Sequence, residues 1–306
     1  MTEYMKKIVL YLIICLAFSY AQQWVNISPF QDSNVGLSGN FISANQGWIC
    51  QASSAVEQSI YRTLNGGENW EKIYSLEDSL EILTSLVMID SLNGWATKLW
   101  EDKNNDKEQR KYYMKTSDSG FNWEDMTDYL PNVFEAYSFY FINKNIGFLC
   151  GGTDSLTYNA LIYKTIDGGY NWYKTETPAV YDSYPYLCSY TVNKFFFLDE
   201  NHGWAACSIL FDAGLLLSTA DGGETWQLSV HTGSSDFFDV HFVDPYHGGV
   251  VGRNAFFTHI KITEDNFDSF AYQYDNFSWN QYAQAICFQN DSTIWITGDP
   301  GYMNRS

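Results

Sequence analysis

Thirty-six acidic side chains stand against seventeen basic ones in this 306-residue chain, a net charge of −19, so carboxylates are its most abundant reagents. A carboxylate pair flanking a glycosidic bond would hydrolyse it, one group as acid and the other as base or nucleophile. Asp118, Asp167 and Asp221, with Asn65 in the same register, recur at one spacing, and that repetition assigns them to turns rather than to one catalytic centre. No other acid is singled out by spacing. Asp182 and Asp239, beside expected loop and inner-strand positions, are the acids outside the repeat that merit testing. A guanidinium clamp for an anionic substrate would need clustered arginines, and there are only four: Arg62, Arg110, Arg253 and Arg305. The stretch Asp102-Lys-Asn-Asn-Asp-Lys-Glu108 has calcium-loop spacing, but Lys107 stands where the sharp turn needs glycine and Tyr113 where a bidentate glutamate is needed; a solvated hairpin tip is expected. His202 and His247 each precede a recurring glycine and read as turn residues, while His241 and His259 are isolated on strands. The cysteines, Cys15, Cys50, Cys150, Cys188, Cys207 and Cys287, show no CxxC or Cys/His metal spacing and are expected to be mainly buried free thiols. No catalytic, cofactor or metal residue is assigned, and no cofactor is implied.

The elements that place these residues follow from two phrases running out of step. The first is Thr63-Leu-Asn65-Gly-Gly67-Glu-Asn-Trp70, which returns as Thr116, Asp118, Gly120 and Trp123, as Thr165, Asp167, Gly169 and Trp172, and as Thr219, Asp221, Gly223 and Trp226, then decays to Thr263-Glu-Asp-Asn-Phe-Asp-Ser-Phe270. Its threonines are 53, 49, 54 and 44 residues apart, a period typical of repeat architectures. The second phrase is Gly47-Trp48, Gly94-Trp95, Gly147-Phe148, Gly203-Trp204 and Gly248-Gly249, each preceded by an apolar run such as Lys194 to Leu198. Aromatic and β-branched runs bounded by Asn, Asp and Gly predict strands. Four per period give an all-β chain of four-stranded antiparallel blades, a β-propeller. The box glycine supplies a positive φ, and the acid or amide two residues earlier accepts amide hydrogen bonds the turn leaves unpaired. Seven tryptophans fall at the two landmarks and are expected in the core; Trp100, Trp279 and the tyrosines Tyr181, Tyr184 and Tyr186 are left as surface candidates.

The first phrase resembles the Asp box of bacterial neuraminidase repeats. Together with the Gly-Trp phrase, the chain is most similar to the propeller family of photosystem II assembly and stability factors and its relatives outside photosynthetic organisms. That resemblance implies a non-enzymatic scaffold for protein binding or complex assembly. Asp boxes also occur in sialidases and xyloglucanases, so a carbohydrate-active propeller, glycoside hydrolase or glycan-binding module, stands as the alternative. The Phe/Tyr-Arg-Ile-Pro motif that sialidases place near their N-terminus is missing here, and any enzyme activity is expected to be glycoside hydrolysis.

Residues 1–21 read as a secretory signal peptide, with Lys6 and Lys7 before an apolar run and small residues ahead of Gln22; the run is too short to span a membrane. Residues 22–306 form the propeller. Trp24 to Ser28 matches the segment after each box, and 280–306 supplies strands that stop at Ser306, the first residue of another box. Closure of six blades by the N-terminal strand is one reading, and a fragment of seven is the other. Loss of a leader with two lysines and one glutamate takes the charge to −20, which disfavours nucleic acid and anionic membrane surfaces. The expected setting is periplasmic, cell-surface or extracellular, with a protein partner or, on the alternative, a glycan.

Overall fold

The structure, a computed structural model, describes residues 36–52, 58–76, 80–101, 109–131, 136–151, 161–178, 190–209, 213–232, 236–253, 257–267, 272–277, 282–290, 293–299 and 302–305. The signal peptide, Trp24 to Ser28, the 102–108 tip, Tyr181, Asp182, Tyr184, Tyr186, Cys188, Trp279 and Ser306 lie outside them. All regular structure among these residues is β apart from one 3-10 turn at Thr127–Tyr129. None of their helices is long and apolar enough to cross a membrane.

Six antiparallel sheets follow one another along the chain. The first holds β1 (Gly36–Phe41), β2 (Gly47–Ala52), β3 (Ser59–Thr63) and β4 (Glu71–Ser75). The second holds β5 (Glu81–Met88), β6 (Gly94–Glu101), β7 (Gln109–Thr116) and β8 (Glu124–Asp125). The third holds β9 (Ala136–Phe141), β10 (Gly147–Gly151), β11 (Leu161–Thr165) and β12 (Tyr173–Lys174). The fourth comprises β13 (Tyr190–Phe197), β14 (Gly203–Ile209), β15 (Ala213–Thr219) and β16 (Gln227–Thr232), and the fifth β17 (Asp236–Phe242), β18 (Gly248–Arg253), β19 (Phe257–Thr263) and β20 (Tyr272–Phe277). The sixth has three described strands, β21 (Tyr282–Asn290), β22 (Thr293–Asp299) and β23 (Tyr302–Arg305). Within each sheet, strands pair in chain order. This is the expected strand, Gly-Trp strand, threonine-ended strand and post-box strand, except that the fourth begins one residue after the tryptophan.

Close approach explains why the second phrase opens with glycine. Phe41, Phe141, Phe197 and Phe242 end their strands directly opposite Gly47, Gly147, Gly203 and Gly248. A Cβ on any of those glycines would come within 2.7 Å of the facing ring, so the ring folds flat over the partner strand. Its outer face then receives the landmark ring of the preceding sheet: Trp95 stacks on Phe141 at 3.5 Å, Phe148 on Phe197 at 4.5 Å and Trp204 on Phe242 at 3.6 Å between centroids. The box tryptophans meet the same rings edge-on from within their own sheet, Trp70 on Phe41, Trp172 on Phe141 and Trp226 on Phe197.

The core therefore lies between consecutive sheets, where Trp48, Trp95, Trp204 and Trp226 are buried. Trp70, Trp123 and Trp172 are half-buried, less than repetition alone predicted, because their rings cover their own turns at the sheet end; Trp123 and Trp172 donate Nε1 to Gly120 and Gly169 carbonyls at 2.9 Å. Cys50, Cys150 and Cys207 are buried free thiols as expected, whereas Cys287 is free and exposed, since it sits on the open side of a first strand. Replacing Trp204, 2% exposed, by alanine is expected to cost about 3–5 kcal/mol, read as a drop in the denaturant midpoint at unchanged m-value; a midpoint equal to wild type would contradict the stacking role.

Candidate functional site

Each box builds its turn around one threonine. The Thr63, Thr116, Thr165 and Thr219 hydroxyls donate to the side-chain oxygen two residues on, of Asn65, Asp118, Asp167 and Asp221, at 2.8–3.0 Å. The same hydroxyls accept from the amides of Gly67, Gly120, Gly169 and Gly223 at 2.8–3.0 Å. Those glycines have φ between 79° and 95°, the left-handed region that favours glycine. Both carboxylate oxygens of each aspartate are then occupied: Oδ1 takes an amide four residues on, and Oδ2 takes the Asn122, Asn171 or Thr225 side chain. Burial alone would raise the Asp221 carboxyl, but the Thr225 side chain and backbone, with Thr219 and the Glu224 amide, bring it down to about 2. Asp118 and Asp167 are lowered in the same way.

The fifth box shows what the motif must preserve. Thr263 still donates to Asp265 at 3.0 Å and accepts from the amide at the glycine position, now Phe267. Phe267 sits at φ 67°, a strain of about 1–2 kcal/mol for an L residue, offset by burial of its ring edge-on against Phe242. It supplies the contact that the box tryptophan makes elsewhere.

A second set of turns, between the first two strands, was not legible as a motif. Ser43, Asp90, Asn143, Asp199 and Asp244 each accept from the amides two and three residues on. His202 and His247 belong to these turns, their Nδ1 atoms 2.9 and 2.7 Å from Asp199 and Asp244. The carbonyls of Asn45, Leu92, Asn145, Asn201 and Tyr246 then accept from the fourth residue of the box in the same sheet. Both turn sets are thus locked together on one face.

Cations just before the box threonine link that face from sheet to sheet. Arg62 lies 4.9 Å from the Phe121 ring, Lys115 donates to the Gly168 carbonyl at 2.9 Å and lies 4.5 Å from the Tyr170 ring, and Lys164 donates to Glu224 at 2.7 Å. Between the second and third sheets the face opens into a groove of about 530 Å³, lined among others by Lys115, Asp118, Glu124, Lys144, Asp167 and Tyr170. Of the four arginines, Arg62 and Arg253 are described with side chains, each over a different ring, Phe121 and Phe238, and they form no clamp.

The first strands carry the other constellation. Side chains next to last on two of them reach the following sheet's first strand: Asn40 donates to the Met88 carbonyl and accepts its amide at 2.7 and 2.8 Å, and His241 Nδ1 accepts the Phe288 amide at 3.4 Å. Two residues earlier, Ser38 accepts from Leu86 and Asp239 from Ile286, at 3.0 and 2.9 Å. Asp239 also accepts its neighbour's amide at Val240. Burial raises the Asp239 carboxyl despite Lys194 and these bonds, and burial followed by Lys194 lowers His241. His241 reads as an isolated strand histidine in the sequence; its counterpart Asn40, at the same place in the repeat, is the signal that could have found it. Among the described residues no group of three or more His, Cys, Asp or Glu side chains is placed to hold a metal.

No family model and no curated protein sequence matches the chain. Solved structures do match in fold. The GH93 α-L-arabinofuranosidase of Fusarium graminearum with arabinobiose is 13% identical, covering 91% of this chain and 94% of that one at a TM-score of 0.55. A Dyadobacter fermentans protein of unknown function is 11% identical over 90% and 94% at 0.53. YCF48 bound to D1 peptide is 14% identical over 92% and 99% at 0.43. At these identities the two likenesses with TM-scores above 0.5 support an all-β propeller fold and nothing finer.

The neutral His241 acceptor sets a pH dependence. Its folded value lies below the unfolded one, so its contribution is present above about pH 6.5 and is lost as pH falls through the lowered folded value. Asp239 acts oppositely: its raised value adds stability below about pH 3.9 that is lost as pH rises through the folded value. His241→Asn, which transplants the Asn40 device, is expected to hold the wild-type melting temperature at pH 7.5 and to remove the decline below pH about 6.5, whereas His241→Leu lowers it throughout. An unaltered pH profile in the asparagine variant would contradict the acceptor role.

Proposed function

We propose that the chain is an exported, non-enzymatic propeller of six blades that serves as a scaffold for protein binding or complex assembly. The observation that carries this reading is the fate of the carboxylates. Asp118, Asp167 and Asp221 spend both oxygens inside their own turns, and Asp239 spends both on backbone amides. A carboxylate so committed holds structure and is poorly free to hydrolyse a bond. Six consecutive sheets support the blade count, and Trp24 to Ser28, outside the described residues, repeats in sequence the pattern of a post-box strand. The leader-like residues 1–21 support export.

The carbohydrate-active reading draws on one observation: burial raises the Asp239 carboxyl, the direction a general acid needs. Incubation of the mature chain with arabinan, xyloglucan, sialosides and a glycan array is expected to give no turnover, and crosslinking in the exported fraction to give a protein partner. Glycan hydrolysis abolished by Asp239→Asn would replace the scaffold reading. Ring closure is checked separately. Deletion of residues 22–29 should speed amide exchange across β21 to β23 by exposing an edge, and unchanged protection there would favour a seventh blade.

A further inference from the structure

The locked turn face is uneven in chemistry. On the second and third sheets it carries large apolar side chains at positions that polar or small residues fill on the fourth, where Asn201 and Ala220 are exposed. Leu92 is 52% exposed, Phe121 42% and Ile166 62%. Each adjoins a residue lining the 530 Å³ groove, respectively Asn93, Asn122 and Asp167. Tyr129, also exposed, meets Tyr170 edge-on at 5.1 Å beside it. These side chains rest on turns whose backbone is tied twice, within the turn and to its neighbour, so little order remains to be gained when they are covered.

Charge indicates what would cover them. The groove wall carries Asp118, Glu124 and Asp167 against Lys115 and Lys144, and Asp90, which Lys144 attracts, adds a further acid. Burial pulls Asp90, Asp118 and Asp167 up, but their turn hydrogen bonds pull them lower still, so they stay ionised. Lys115 is an internal example of the complementary group: its ammonium sits on the Gly168 carbonyl and over the Tyr170 and Trp95 rings, and burial lowers its pKa against the opposing pull of Glu124 and Asp167. The whole chain, at −19, repels acidic partners and steers basic ones.

Building on the scaffold reading, we infer that this face of the second and third sheets docks a partner polypeptide segment carrying lysine or arginine beside apolar side chains. The apolar side chains cover Leu92, Phe121 and Ile166, and the cations add to the place Lys115 already marks at the acid-lined groove.

The test uses the full mature chain and a labelled peptide of about twelve residues alternating lysine and leucine, with two controls, glutamate in place of lysine and serine in place of leucine. The lysine-leucine peptide is expected to bind, more weakly as salt rises, and neither control to match it. The double variant Leu92→Ser/Ile166→Ser should weaken binding by about tenfold, while Asn201→Ser/Ala220→Ser on the fourth sheet stays within about twofold. Equal affinity for the first double variant, or equal binding of either control peptide, overturns the inference. So does a dimer in sedimentation that the first double variant converts to monomer, since the face would then belong to a second copy. A protein partner crosslinked equally by wild type and that variant would leave the scaffold reading standing and remove only this face; glycan hydrolysis would remove the scaffold reading while the peptide titration still reports on the face.

Discussion

A phenylalanine ring lying flat across a glycine is the constraint on which the rest of this structure depends. At Gly147, Gly203 and Gly248 any side chain would collide with the facing ring, and only a flattened ring offers the preceding sheet a face to stack upon. The stacks between Trp95 and Phe141 and between Trp204 and Phe242 are nearly parallel, at 10° and 8°. Such pairs are worth about 0.5–1.5 kcal/mol beyond the area they bury, and they also fix the spacing between sheets. Where the pattern changes, the partner changes with it. Gly249 replaces the landmark ring, and Phe288 of the next sheet approaches to where its Cβ would be.

Two sets of polar links flank that apolar joint. Toward the turns, the box and the preceding turn exchange a backbone hydrogen bond within a sheet, and a cation reaches the next one. Along the first strands, side-chain acceptors satisfy amides of the following sheet that would otherwise lack partners, as buried backbone groups require. The third sheet makes a further tie near its end, where Glu176 pairs with the fourth sheet's box through Glu224 and Trp226. Polar side chains here serve neighbouring backbone.

Much of this was legible in the sequence because it repeats. Threonine, acid, glycine and tryptophan at fixed offsets located the turns, and the Gly-Trp phrase located the second strands to the residue. What stayed hidden were relations between repeats. Nothing in Thr63 to Trp70 says that Arg62 meets Phe121, and the turn acceptors Ser43, Asn143 and Asp244 differ in type while sharing a geometry. His241 looked isolated because its equivalent is an asparagine. The half-burial of Trp172 was missed because repetition signals a shared environment without saying how deep it lies. The groove arises between two sheets, and its residues come from four separate turns that no local window contains.

The joints share a direction: where each occurs, the landmark ring, the box-flanking cation and the first-strand acceptor come from one sheet, and the folded phenylalanine, the sixth box residue and the waiting amide from the next. An interface of unlike halves passes its unused half onward. A duplicated repeat inserted at a junction that carries the ring stack would therefore find both halves of that stack already present.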